Sequence, residues 1–322
     1  MPRHRLTPLT VLLVLLVTAI AGCGEGDRSA TPGQPREIEL ALDFQPNAVH
    51  AGVFAASEGI DSDNNLELVV RAPSASTDSL KLLAAGRSDF SIVDIHDLGL
   101  ARQQGADVVG IGAIVKRPLA AVIAKPGIGR PRDLEGRRVG VTGLPSDDAV
   151  LDAVLRSDGS GIDRVRKTTI GFSAVPSLVA GKVDAVVTFW NAEGVALRRR
   201  GVRTREFRVD HFGAPAYPEL VIATKRSTLR HDPDLVRRLL RTIDRGTKAA
   251  LADRGAAVAD IARRSGSDEA LVRAQLDAVA PALEPPLTLE RGPLEAWARF
   301  DARSGILRSA PNVDQAFGLG SG

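Results

Sequence analysis

From Glu37 onward the chain alternates between two apolar patterns. Short stretches, some with every second position apolar, are separated by longer ones with apolar residues three and four apart. A period of two belongs to strands and one of 3.6 to helices, and their alternation predicts an α/β protein. Within 37–44, Ile38, Leu40 and Leu42 share one strand face, and further strands are predicted at 66–70, 108–114, 119–124, 138–141 and 220–223. The last third reads as helical. Asp232-Pro233-Asp234 supplies an N-cap, a proline at the first helical position and an acid in the first turn. Leu235, Leu239, Leu240 and Ile243 follow as an apolar stripe, and 249–263 and 271–279 continue that pattern.

One unit occurs twice. Leu83-Ala84-Ala85-Gly86-Arg87-Ser88-Asp89 and Leu178-Val179-Ala180-Gly181-Lys182-Val183-Asp184 each run into an apolar strand. Each reads as a helix end, a glycine cap, a cation near the helix dipole's negative end, and an Asp leading into a buried strand. The repeat predicts two similar lobes with a cleft between them. Glycine- and proline-rich breaks at 126–131 and 213–218 read as a paired hinge. Lobe 1 is then 37–124 plus 219–322, and lobe 2 is 125–218. The basic triplet Arg198-Arg199-Arg200 before Gly201 reads as a solvated helix end.

The N-terminus follows neither period. Arg3 and Arg5 precede an apolar run from Leu9 to Ile20, which ends in Ala21-Gly22-Cys23. That run is shorter than the roughly 20 residues a spanning helix needs. A charged start, a short apolar stretch and a small-residue exit predict a secretory signal over 1–22. Cys23 stands where a lipoprotein signal places its acylated cysteine, and 23–36, rich in Gly, Ser, Thr and Pro, reads as a flexible tether. The expected location is extracytoplasmic, with the protein anchored to the membrane through lipid on Cys23.

Charge adds little once that signal is removed. Of 42 basic and 39 acidic residues, Arg3 and Arg5 leave with it, so the mature chain is near neutral. No Lys/Arg run is interleaved with aromatics, and a nucleic-acid partner is not expected. Cys23 is the only cysteine, which excludes an internal disulfide, and the five histidines show no metal-ligand spacing. No phosphate-binding glycine loop or nucleophile elbow is present. A monomer without metal or cofactor is expected.

Ligands of open α/β sheets bind beyond the carboxyl ends of the strands. Those ends hold Phe44-Gln45-Pro46-Asn47, Asp94-Ile95-His96, Thr142-Gly143 and Phe189-Trp190-Asn191-Ala192-Glu193. Aromatic residues make up 4% of the chain, yet Phe44, Phe189, Trp190 and Tyr217 all fall at strand ends or at the second break. Aromatic faces with a few carboxylates and amides suit a flat heterocycle with a polar edge, and Glu193 can take two adjacent donors of such a ring. The helix predicted after Val141 carries Asp147 and Asp148 in its first turn. Both acids complement the helix dipole and would repel an anion there.

The segment Leu42-Asp43-Phe44-Gln45-Pro46-Asn47-Ala48-Val49-His50-Ala51-Gly52-Val53-Phe54-Ala55-Ala56 resembles the opening of the thiamine-pyrimidine-precursor family of periplasmic-type binding proteins. That family's hallmark is a strand ending in Pro-Asn-x-x-His, then Gly and an aromatic-Ala-Ala run. The resemblance continues through the Gly86–Asp89 turn, Pro118-Leu119, Asp133-Leu134-Glu135-Gly136, Trp190-x-x-Glu193 and Gly213-x-Pro215-x-Tyr217. It implies a two-lobed, type II periplasmic-binding-protein fold that closes on its ligand at a hinge and delivers it to an ABC permease with its ATPase. Members bind formylaminopyrimidine or hydroxymethylpyrimidine. By position, Phe44 stands where the family has a stacking Trp, Asn47 and His50 match the motif, and Glu193 matches an acid that holds the amino group. Asp94, Trp190 and Tyr217 complete the expected ligand-binding set.

Alternatives on the same fold are riboflavin, or an anion such as nitrate, sulfonate or taurine. A relative of another class is a thiamine-pyrimidine synthase, which consumes its own His and uses pyridoxal phosphate on a Lys. No Lys lies near 46–56, the nearest being Lys81 and Lys116. An exported lipoprotein would also lack a cytoplasmic cofactor supply. The expectation is a binding protein and not an enzyme.

Overall fold

Two five-stranded sheets of the same design organise the chain in the computed structural model, which describes residues 34–75 and 78–320. The first comprises β1 (Arg36–Ala41), β2 (Leu66–Arg71), β3 (Phe90–Asp94), β4 (Val108–Ala113) and β10 (Leu220–Lys225), in the order β2-β1-β3-β10-β4. The second comprises β5 (Ala120–Ala124), β6 (Arg138–Val141), β7 (Arg166–Thr169), β8 (Ala185–Phe189) and β9 (Arg205–Arg208), in the order β7-β6-β8-β5-β9. The orders correspond strand for strand. In each sheet the first three strands are parallel and the fourth runs antiparallel to both neighbours.

The sequence repeat therefore has a structural meaning: β3 and β8 occupy the same central place. Gly86 (φ +69°) and Gly181 (φ +71°) both turn the chain in the left-handed region, where a side chain is disfavoured. Asp89 then accepts the backbone N–H of Glu39 on neighbouring β1 (2.8 Å), and Asp184 that of Arg138 on β6 (3.0 Å).

The predicted first break, 126–131, is not where the chain changes sheets. β5 pairs with β8 and β9, so residues 119–124, predicted in lobe 1, belong to the second sheet. The crossing is 114–119, where Lys116-Arg117-Pro118 separates two apolar runs without the glycines that mark 126–131 as a break. The return crossing, 209–219, contains the predicted break at 213–218. β7 and β9 have no counterpart among the predicted strands. As edge strands reading Arg-Lys-Thr-Thr and Arg-Glu-Phe-Arg, they carry the polar residues that protect an edge and mask a strand pattern. The predicted signal 1–22, Cys23 and most of the tether 23–36 lie outside the described residues, and Arg36 already belongs to β1.

The helices in chain order are α1 (Ala51–Ala55), α2 (Asp78–Ala84), α3 (Ile95–Gln103), α4 (Pro145–Arg156), α5 (Ala174–Val179) and α6 (Glu193–Arg199). The C-terminal part adds α7 (Arg226–His231), α8 (Pro233–Ala252), α9 (Arg254–Ser265), α10 (Glu269–Val279) and α11 (Arg291–Arg303). α8 starts as its sequence predicts, with the Asp232 side chain accepting the Leu235 N–H (3.0 Å), and its apolar stripe is buried.

α8 lies on α1 almost backbone to backbone. A Cβ on Gly52 would stand 2.9 Å from the Thr247 Cα, and one on Gly246 would run into the Gly52 carbonyl oxygen and stand 2.7 Å from the Ala56 nitrogen. The glycine after Pro-Asn-x-x-His is thus required by helix packing. Gly246→Ala forces the helices apart and is expected to cost about 3 kcal/mol, lowering Tm by roughly 5–10 °C in calorimetry. An unchanged Tm would contradict this packing.

Candidate functional site

A cavity of about 480 Å³ lies where the carboxyl ends of β1 and β3 face those of β6 and β8. All four predicted strand ends reach it, through Phe44 and Asn47, Asp94, Thr142, and Phe189 with Glu193. The two sides touch across it. The Phe44 ring meets Phe172 edge-on, with centroids 4.5 Å apart. Asp97 on α3 accepts the Ser146 N–H (3.2 Å) and hydroxyl (2.9 Å) at the start of α4.

Asn47 caps the turn that opens α1. Its Oδ1 accepts the Val49 N–H (3.0 Å), and its side-chain amide donates to the Gln45 carbonyl (3.0 Å). Three predicted ligand-binding residues stand away from the cavity wall. His50 is fully buried and completes the same cap, its Nδ1 accepting the Asn47 N–H (3.3 Å). The proton is therefore on Nε2, which donates to Asp43 Oδ1 (2.8 Å). His50 orients a wall residue, Asp43, instead of being one.

Trp190 packs against the first crossing. Its indole N–H bonds the Pro118 carbonyl (3.1 Å), and the Arg208 guanidinium lies 4.2 Å from its ring centre. Tyr217 is fully buried on the second crossing, with its hydroxyl 3.0 Å from His96 Nε2. Trp190 sits at a strand end and Tyr217 at the second break, as predicted, but both are buried at the crossings.

The sequence pattern of the family described as NMT1/THI5 like matches residues 47–257. The chain belongs to that family. It is 28% identical to the formylaminopyrimidine-binding protein of Halalkalibacterium halodurans, over 70% of this chain and 69% of that protein. It is 27% identical to the riboflavin-binding protein RibY of Chloroflexus aurantiacus, over 98% of this chain and 97% of that one. A 4-amino-5-hydroxymethyl-2-methylpyrimidine phosphate synthase of Saccharomyces cerevisiae is 22% identical, over 67% of this chain and 68% of the enzyme. The fold is that of two-lobed periplasmic binding proteins. The alkanesulfonate-binding protein SsuA of Xanthomonas axonopodis pv. citri superposes with a TM-score of 0.71, over 88% of this chain and 98% of that one, at 18% identity. Structural neighbours also include a ligand-binding component of an ABC import system.

In this NMT1/THI5-like chain the cavity wall is rich in carboxyl groups. Among the described wall residues Lys81 is the one cation, against Asp43, Asp94, Asp97, Asp147, Glu193 and Glu219. Asp147 closes the N-terminus of α4, accepting from the Gly143 N–H (2.8 Å), the Leu144 N–H (3.1 Å) and the Thr142 hydroxyl (2.8 Å). Asp148, predicted to act with it, instead pairs with Lys167 at 2.6 Å and is not on the wall. Burial raises the pKa of Asp147 to about 6 against those bonds, and that of Asp97 to about 8. Burial also raises Glu193, with Asp43 facing it and pushing the same way.

The floor continues into a buried network that the sequence does not predict. Asp94, His96 and Glu219 each bring a side-chain atom within 4.8 Å of the others. His96 has both ring nitrogens engaged, Nδ1 with Asp301 (2.8 Å) and Nε2 with Tyr217. Burial alone would lower the His96 pKa, but Asp301, helped by Asp94 and Glu219, raises it to about 10. Asp94 is pushed well above the carboxylate range by burial, and Glu219 beside it adds to the shift. The trio therefore reads as a proton-sharing network. Asp43, Asp97 and Glu219 are wall residues missing from the predicted set. Their signal was weak, since an isolated acid in sequence does not show whether it faces a cleft or solvent.

These shifts set a pH dependence. An acid whose folded pKa exceeds its unfolded value near 4 stabilises the fold at low pH, and that stability is lost as pH rises through the folded pKa. Raised His96 acts in the same direction from about 6.5 to 10. Tm of the unliganded protein should therefore fall from pH 5 to pH 8.5. Asp97→Asn keeps an acceptor for Ser146, removes one of these groups and should flatten the fall, with a gain of roughly 2 kcal/mol at pH 8. Identical slopes for the two proteins would contradict the burial of Asp97 as a charge-disfavouring site.

Proposed function

We propose that this protein is a lipid-anchored, extracytoplasmic solute-binding component of an ABC importer, and that it captures an amino-substituted heterocycle of the thiamine-pyrimidine-precursor kind. The observation that carries this reading is the pairing of acids across the cleft. Asp43, beyond β1, and Glu193, beyond β8, face one cavity from opposite lobes, with Phe44 beside Asp43. A flat ring between them gives amino N–H donors to both acids and a face to the phenyl ring. Such a ligand bridges the lobes and shifts the population toward the closed form, pivoting at 114–119 and 209–219. The 28% identical formylaminopyrimidine-binding protein supports the same ligand chemistry. Riboflavin remains a second reading, because the riboflavin-binding relative matches 98% of the chain.

The N–H groups of Gly143, Leu144 and Ser146 at the entry to α4, already bonded to Asp147 and Asp97, disfavour nitrate, sulfonate or taurine there. Lys81 lines the same cavity as Asn47, although it is distant from the 46–56 segment in sequence. A synthase role is nevertheless disfavoured, because His50 is sealed in the core with both ring nitrogens bonded. Anchoring is assigned to lipid on Cys23, which follows the short apolar run 9–20 and the small residues Ala21-Gly22.

A thermal-shift screen of the protein with hydroxymethylpyrimidine, formylaminopyrimidine, riboflavin, nitrate and taurine tests this function. At about 100 times Kd a ligand adds roughly 2.7 kcal/mol, a shift of several degrees. A heterocycle should give that shift, Glu193→Gln should abolish it, and small-angle scattering should show compaction on binding. A shift with nitrate or taurine alone would sink the ligand assignment, and binding without compaction would sink hinge closure.

A further inference from the structure

The acid pair of Asp43 and Glu193 accounts for one end of the cavity only. A cavity of about 480 Å³ is roughly three times the ~150 Å³ that holds a single benzene ring. The rest of the space follows α3. Asp97, Leu100, Ala101 and Gln104 all line it, one helical face that covers about 10 Å at 1.5 Å per residue. From the other lobe, α4 contributes Ser146 and Val150, one turn apart. Between the bonded Asp97–Ser146 pair and the exposed Gln104, where it reaches solvent, this gallery is lined by the apolar Leu100, Ala101 and Val150. A one-ring ligand at the acid pair would leave that apolar lining wet, losing favourable burial.

We propose that the ligand has two parts: an amino-substituted heteroaromatic ring held at Asp43 and Glu193, and a second ring, carrying no negative charge, lying along α3 against Leu100 and Ala101. This rests on the amino-heterocycle reading and adds size and charge to it. The charge limit follows from the N–H groups at the entry to α4, already taken by Asp147 (from Gly143 and Leu144) and by Asp97 (from Ser146), and from Lys81 being the one cation among the described wall residues.

Calorimetric titration of the purified protein with hydroxymethylpyrimidine (one ring), thiamine (two), riboflavin (three) and thiamine monophosphate tests it. Thiamine or riboflavin should bind at least about tenfold tighter than hydroxymethylpyrimidine, and the phosphate should weaken thiamine binding by about tenfold or more. Leu100→Trp should remove about tenfold of the multi-ring affinity while changing the one-ring affinity less than about twofold, with Ala101→Phe as a second block on the same face. Equal or tighter binding of hydroxymethylpyrimidine, or a loss shared equally by all probes in both variants, overturns the two-part ligand and leaves the amino-ring reading standing. Binding of none of the heterocycles overturns both.

Discussion

One buried carboxylate holds the two crossings together. Glu219 ends the return crossing, is fully buried, and its Oε2 accepts the N–H groups of Leu119 (2.8 Å) and Ala120 (3.2 Å), where the outward crossing enters β5. Its backbone carbonyl accepts the Ile95 N–H (2.9 Å) at the start of α3. A carboxyl group in such a place without donors costs several kcal/mol, so the crossings are held in register by the need to satisfy it. Glu219 also lines the cavity floor beside Asp94. Crossings and floor therefore share one side chain, and whatever changes the charge at the floor acts on the crossings without an intermediary.

The same division of labour recurs in the Pro-Asn-x-x-His segment. Asn47 and His50 form a reciprocal cap on the turn into α1, and the spare nitrogen of His50 fixes Asp43. The next residues bring Gly52 against α8. A short motif that reads as a ligand site is mostly a device for placing one acid and docking one helix, with Asp43, Phe44 and Asn47 as the parts facing the cavity.

How much could be read from sequence followed from where burial leaves a local trace. The central strands β3, β5 and β8 are buried and mostly apolar, the two-lobed repeat shows in the Gly86–Asp89 and Gly181–Asp184 turns, and α8 shows in its cap and stripe. The edge strands β7 and β9 left no trace, because solvent exposure permits Arg, Lys and Thr there. The strand-end rule located Phe44, Asn47, Asp94 and Glu193 on the cavity. Trp190 at a strand end and Tyr217 at the second break are off the cavity wall because both pack at the crossings. Asp97 and Glu219 were illegible because their partners, Ser146 and Leu119 with Ala120, are about 50 and 100 residues away.

The exchange of strands between lobes also bears on synthesis. β4 is buried along its whole length and pairs with β10, whose first residue follows more than a hundred positions later. At ~5–20 residues per second, a ribosome leaves this apolar strand without its partner for ~5–20 s. The first sheet cannot close until the whole of the second has been translated. A chain held unfolded over that interval avoids exposing a half-built sheet, whose open β3 edge would pair with a neighbouring nascent chain.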